Sequence, residues 1–68
     1  MPIRSNVRAI RLQRHLRQED LAAAVNVSRQ TIIALERDGY APSTELALRL
    51  ARSLEARVEE LFELLEET

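Results

Sequence analysis

The apolar positions of this chain fall into short helical stripes separated by polar corners. In VRAIRLQRHL, Val7 and Ile10 share one helical face while Arg8 and Arg14 lie on another, and Ser5 and Asn6 precede the stripe as candidate N-cap side chains. QEDLAAAV follows, where Gln18, Glu19 and Asp20 suit the positive end of a helix and Leu21, Ala22 and Val25 form an inward stripe. Ser28 then caps RQTIIALER, with Ile32 and Leu35 inward at i and i+3. Beyond the loop DGYAP, Ser43 caps TELALRLARSL, in which Leu46, Leu50 and Leu54 recur every four residues and Ala47 and Ala51 permit close approach of a neighbour. The stretch VEELFELLEET carries Val58, Leu61, Phe62 and Leu65 and predicts at least one more helix. The pattern predicts an all-α fold and a single domain over residues 1–68, without internal repeats, linkers or low-complexity segments.

The corner between the second and third predicted helices consists only of Asn26, Val27 and Ser28. The chain must therefore change course at one left-handed residue and recap at once. Glycine does this at least cost, but Asn tolerates positive φ better than most side chains, so Asn26 makes the turn. Val27 plugs the gap between the helices, and the Ser28 hydroxyl accepts from the amide of Gln30 or Thr31. The outcome is a helix bracing a second helix whose first residues, Arg29, Gln30 and Thr31, project outward. This is a helix-turn-helix layout, in which the second helix enters the major groove of DNA.

Composition supports helices: Ala, Leu, Glu and Arg dominate, with one Gly, two Pro and the aromatics Tyr40 and Phe62. The net charge of −1 argues against nucleic acid until it is divided by position. Residues 1–37 carry seven arginines against Glu19, Asp20 and Glu36, a balance of +4, whereas residues 38–68 carry three against eight acids, a balance of −5. The front half is thus suited to an anion and the back half to water or a different partner. A chain of 68 residues buries only ~60% of the surface its unfolded form exposes, so a partner subunit would help it. With no cysteine, no long apolar run and no signal-like start, a soluble cytoplasmic protein without membrane association is expected.

QEDLAAAVNVSRQTIIALE, with GYAPSTELALRLARSLE and VEELF after it, resembles the Xre family of small regulators of Cro and repressor type. The likeness runs from about Val7 to Phe62 and rests on linked features. These are Leu21, Ala22, Val25, Val27, Ile32 and Leu35 at the core spacings, the SRQTI segment, and YxPS before the fourth helix. It is greatest to minimal dimeric members, and implies a five-helix bundle of the phage-repressor type, a homodimer, and an operator in double-stranded DNA with two related half-sites.

The resemblance also implies roles. Arg29, Gln30 and Thr31, with Ile33 and Ala34 one turn on, fall at base-reading positions. A Gln amide suits adenine, Arg suits guanine or phosphate, and apolar residues at 33 and 34 suit thymine methyls or no contact. Gln18, Ser28, Arg37 and Tyr40 fall at phosphate-binding positions. Arg11 and Glu36 occupy the places of a structural ion pair, which leaves Arg4, Arg8, Arg14, Arg17, Arg29 and Arg37 as cations for DNA. The apolar end, Leu61, Phe62, Leu64 and Leu65, reads as a dimer seam. In similar regulators the chain ends also pair as short strands, here Pro2 to Arg4 with Glu63 to Glu66.

The departures from that family pattern lie at helix ends. Glycine is common where His15, Asn26, Asp38 and Glu55 stand, and the first three are types enriched at positive φ. Glu55 is not, and Arg57 and Arg17 replace the usual caps of the fifth and second helices. Two outcomes stay open at this point: a break near Leu54, or one long helix with Leu50, Leu54, Val58, Leu61 and Leu65 as its stripe. Gly39 also stands where a basic residue is frequent.

Catalysis has no foundation in these residues. His15 is the single histidine, no Cys or second His joins it as a metal ligand, and no Gly-rich phosphate loop is present. No cofactor, metal or small-molecule ligand is expected. The expected function is a sequence-specific DNA-binding transcriptional regulator, most simply a repressor. An antitoxin of a toxin pair and a protein interaction module with little DNA affinity are the alternatives.

Overall fold

The computed structural model describes residues 3–65. Their order is β1 (Ile3–Ser5), α1 (Val7–Gln13), α2 (Gln18–Val25), α3 (Arg29–Leu35), α4 (Thr44–Leu54), α5 (Val58–Leu61) and β2 (Phe62–Leu64). The stripes read from the sequence meet in one core: Val7, Leu21, Ala22, Val25, Ile32, Leu35, Leu50, Leu54 and Leu61 are all buried. Ile10, Leu16, Val27, Leu46, Ala51, Ala56 and Phe62 pack against it, half-buried. Burying a Leu or Ile side chain stabilises by roughly 1.5–3 kcal/mol, so these residues supply most of the drive to fold.

Three helices end in the same way, and none of the three uses glycine. His15, Asn26 and Glu55 adopt φ of 60°, 59° and 52°. In each case the next amide donates to the carbonyl five residues earlier: Leu16 to Arg11 at 3.2 Å, Val27 to Ala22 at 3.0 Å, and Ala56 to Ala51 at 3.0 Å. This closes the last turn as a Schellman motif, and the apolar side chains of Leu16, Val27 and Ala56 then turn onto the core.

The break after Leu54 therefore exists, at a residue poorly suited to it; left-handed backbone costs a residue such as Glu roughly 1–2 kcal/mol. The stop comes from the residue that follows α1. Arg14 Nε donates to the Leu54 carbonyl at 2.8 Å and its Nη2 to the Glu55 carbonyl at 3.1 Å. A guanidinium at these orphaned carbonyls satisfies them and complements the negative helix end. Arg49 of α4 does the same for α2, its Nη1 donating to the Val25 carbonyl at 3.4 Å.

Several expectations are corrected. Asp38 is not left-handed; Gly39 takes that conformation at φ 93°, while the Asp38 carboxylate accepts from the Ser5 N–H at 2.9 Å. Helix α1 stops at Gln13, short of Leu16, because His15 reverses the chain. Asn6 occupies the N-cap but does not cap with its side chain, which instead donates to the Glu60 carbonyl and to Glu63 Oε1. The last helix has only four residues, since Phe62 leaves it in extended conformation. Where Arg17 and Arg57 replace a hydroxyl cap, the carboxylates of Asp20 and Glu60 accept from their backbone N–H groups, each at 2.8 Å, and so start α2 and α5.

The terminal strands pair antiparallel, with Ile3 opposite Leu64, Arg4 opposite Glu63 and Ser5 opposite Phe62. The pairing expected for Pro2 to Arg4 with Glu63 to Glu66 is thus present one residue displaced; Pro2 and Glu66 lie outside the described residues. The other edge of β1 is joined to the end of α3: Gly39 N–H donates to the Ile3 carbonyl at 2.7 Å, and Ser5 Oγ to the Leu35 carbonyl at 2.8 Å.

Candidate nucleic-acid interface

Asn26 at φ 59° and ψ 49° ends α2, and Ser28 at φ −76° and ψ 158° starts α3 two residues later. The Ser28 Oγ accepts from the Thr31 N–H at 3.2 Å and shares a hydrogen bond of 3.1 Å with the Thr31 hydroxyl. Val27 fills the angle between the helices against the core. This local chemistry sets Arg29 and Gln30 on the surface at the start of α3, with Thr31, Ile33 and Ala34 half-buried beside them.

Beneath that helix lies a concave basin of about 600 Å³, where α1, α2 and α3 converge. It is lined by Arg8, Arg11, Arg17, Gln18, Glu19 and Arg29. Four of the residues expected at DNA, Arg8, Arg17, Gln18 and Arg29, are thus brought to one place. Arg17 is paired with Glu19 at 2.9 Å and Asp20 at 3.3 Å, so the basin is less positive than its arginines alone would make it. The Arg17 backbone and side chain, donating to Asp20, hold that carboxyl below its ordinary range, and the same contact raises the Arg17 guanidinium.

Arg11 and Glu36 form a bidentate ion pair, Nε to Oε2 at 2.6 Å and Nη2 to Oε1 at 3.3 Å, with side chains 7% and 5% exposed. Arg11 Nη1 donates to the Leu16 carbonyl at 2.8 Å, so the guanidinium also ties down the end of α1. Gln18 Nε2 donates to Glu36 Oε1 at 3.1 Å.

The remaining expected residues separate by position. Arg37 and Tyr40 are exposed after α3. Arg14 is engaged with the end of α4 through its guanidinium. Leu61 is fully buried in the protomer's own core, which removes it from a dimer seam; Phe62 is half-buried and Leu64 is 60% exposed. Leu65 is half-buried. Sequence reasoning missed the roles of Ser5 and Arg14, whose partners lie 30 and 40 residues away and leave no local pattern.

A helix-turn-helix braced in this way, with its second helix free at the N-terminal end, defines a class of protein. Residues 7–61 match the family model described as Helix-turn-helix. The chain is 48% identical over 61 residues to a protein of Methanothermobacter thermautotrophicus named as an uncharacterized HTH-type transcriptional regulator, covering 88% of each chain. It is 43% identical over 60 residues to one of Archaeoglobus fulgidus with the same name, covering 88% of this chain and 86% of the other. To YgzD of Bacillus subtilis, also named as such a regulator, the identity is 35% over 65 residues, covering 96% and 98%. The protein belongs to the Xre-type helix-turn-helix family.

Proposed function

We propose that this protein is a transcriptional regulator that binds DNA sequence-specifically, acting as a cytoplasmic repressor whose homodimer covers a two-half-site operator. Its helices take the bundle arrangement of the phage-repressor type. The observation that carries the reading is the exposed start of α3, Arg29 and Gln30, standing beside a basin of arginines with Gln18. Gln30 reads a base, most simply adenine through its amide, while Ile33 and Ala34 offer apolar contact to thymine methyls. Arg29 has two uses, guanine and phosphate, and its place in the basin favours phosphate. Gln18, Ser28, Arg37 and Tyr40 hold the backbone on either side.

Two copies are favoured by the apolar surface on the sheet side. A groove of about 310 Å³ runs between Ile3, Pro42, Ala47, Leu48, Val58 and Phe62. Leu48 and Leu64 are 59% and 60% exposed there and in the adjoining strand, which a second protomer would cover. Recognition helices set ~34 Å apart then read successive turns of one DNA face.

Selection of binding sites from a random DNA pool at two salt concentrations tests the reading. The expected result is a preferred site with affinity that falls steeply as salt rises, because phosphate contacts release counterions. No preferred site at low salt would overturn it. In the same assay Gln30→Ala costs ~1–3 kcal/mol and relaxes one base position, whereas Gln18→Ala weakens all sequences alike.

A further inference from the structure

We infer that Glu36 is a positioning residue for DNA binding, fixing the Gln18 amide through one hydrogen bond so that its remaining N–H is the group offered to phosphate. The inference rests on the function proposed above. A carboxylate only accepts, so Glu36 Oε1 at 3.1 Å requires the NH2 end of the Gln18 amide to face it. One N–H of Nε2 is consumed there and the second remains to donate into the arginine basin that Gln18 lines. A free Gln amide turns either end outward, and its carbonyl end would repel a phosphate oxygen.

The carboxylate itself cannot swing to follow the amide. Arg11 grips both of its oxygens, at 2.6 and 3.3 Å, and is held in turn by the Leu16 carbonyl. The negative charge that would oppose a phosphate is neutralised by the same guanidinium. Glu36 follows the last residue of α3 and Gln18 is the first of α2, so the bond also fixes the phosphate contact relative to the base-reading helix.

A double-mutant comparison with an NMR readout decides the matter. In the wild-type protein the Gln18 side-chain amide protons are expected to be slow to exchange and held in one environment, unlike those of the exposed Gln13 and Gln30. A Gln18 amide exchanging as fast as that of Gln13 overturns the inference, whatever the variants do. Arg11→Met/Glu36→Leu removes the pair without leaving a buried charge. Gln18→Ala is expected to lower affinity for specific and non-specific duplexes about tenfold in the wild type, and less than about threefold in the double variant. Equal losses in both backgrounds make the pair purely structural and overturn the proposal. A wild-type protein that binds no duplex overturns instead the reading on which it rests, with the amide spectrum unaffected.

Discussion

Removing the Glu36 carboxylate perturbs a buried ion pair, and the size of the effect can be worked out. In Glu36→Ala the Arg11 guanidinium, 7% exposed, keeps its bond to the Leu16 carbonyl and loses both bonds to carboxylate. The charge stays buried without a counterion, and Gln18 loses its acceptor as well. Breaking a buried pair from one side costs ~3–5 kcal/mol. A chain of 68 residues has a total stability of roughly 3–10 kcal/mol at the usual value per residue, so about a third to all of it is at stake. At ~4–8 °C per kcal/mol, the midpoint of thermal unfolding falls by at least about 12 °C. Circular dichroism melts at one fixed protomer concentration measure this, since association would otherwise shift the midpoint. Arg11→Met/Glu36→Leu should return to within ~1 kcal/mol of wild type, because no charge remains to desolvate. A Glu36→Ala loss below ~1 kcal/mol, the worth of an exposed pair, would refute the reasoning.

Glu55→Gly should stabilise the protein by ~0.5–1 kcal/mol, the relief of left-handed strain less the added freedom of the unfolded chain, whereas Asn26→Gly should move the urea midpoint little. Destabilisation by Glu55→Gly would mean that the side chain, not the backbone, stabilises that turn. Arg14→Met should cost ~1 kcal/mol of stability through the uncapped end of α4 while leaving the affinity for a selected duplex unchanged; a loss of affinity at intact fold would return Arg14 to the DNA surface. Leu64→Glu should halve the mass seen by sedimentation while the helical spectrum persists, and a persisting dimer would place the seam elsewhere.

The helices and their buried faces were legible because each depends on residues close in sequence. Leu21, Ala22 and Val25 face the core at the periodicity that predicts it, and Asn26 and Ser28 make the corner with their own side chains. The α3 surface was legible for the same reason, as its exposure follows from that corner. What could not be read were decisions made by distant partners. The VEELFELLEET stripe looks helical throughout, but Phe62 is drawn into extended pairing with Ser5, at the far end of the chain. Asp38 looks like a turn residue by type, yet its neighbour Gly39 bends the chain and Asp38 instead receives the Ser5 amide.

Helix α4 shows the physical principle behind these failures most directly. No residue from 54 to 57 is a stop signal by type, and the local residue pattern there permits one long helix. A helix terminus, however, is a set of unpaired carbonyls, and it forms wherever those carbonyls find donors. Arg14, the residue that follows α1, brings two N–H groups to the carbonyls of Leu54 and Glu55. The ending of α4 is therefore written just after α1, and a residue that looks like a DNA-facing cation serves as its cap. The same logic applies at α3, whose final carbonyl at Leu35 is met by the Ser5 hydroxyl. Since β1 also pairs with β2, the end of α3 is fixed to the strand that carries Leu64. Whatever orients that strand thereby orients α3, so the homodimer seam proposed on the sheet side would set the spacing of two recognition helices without touching either.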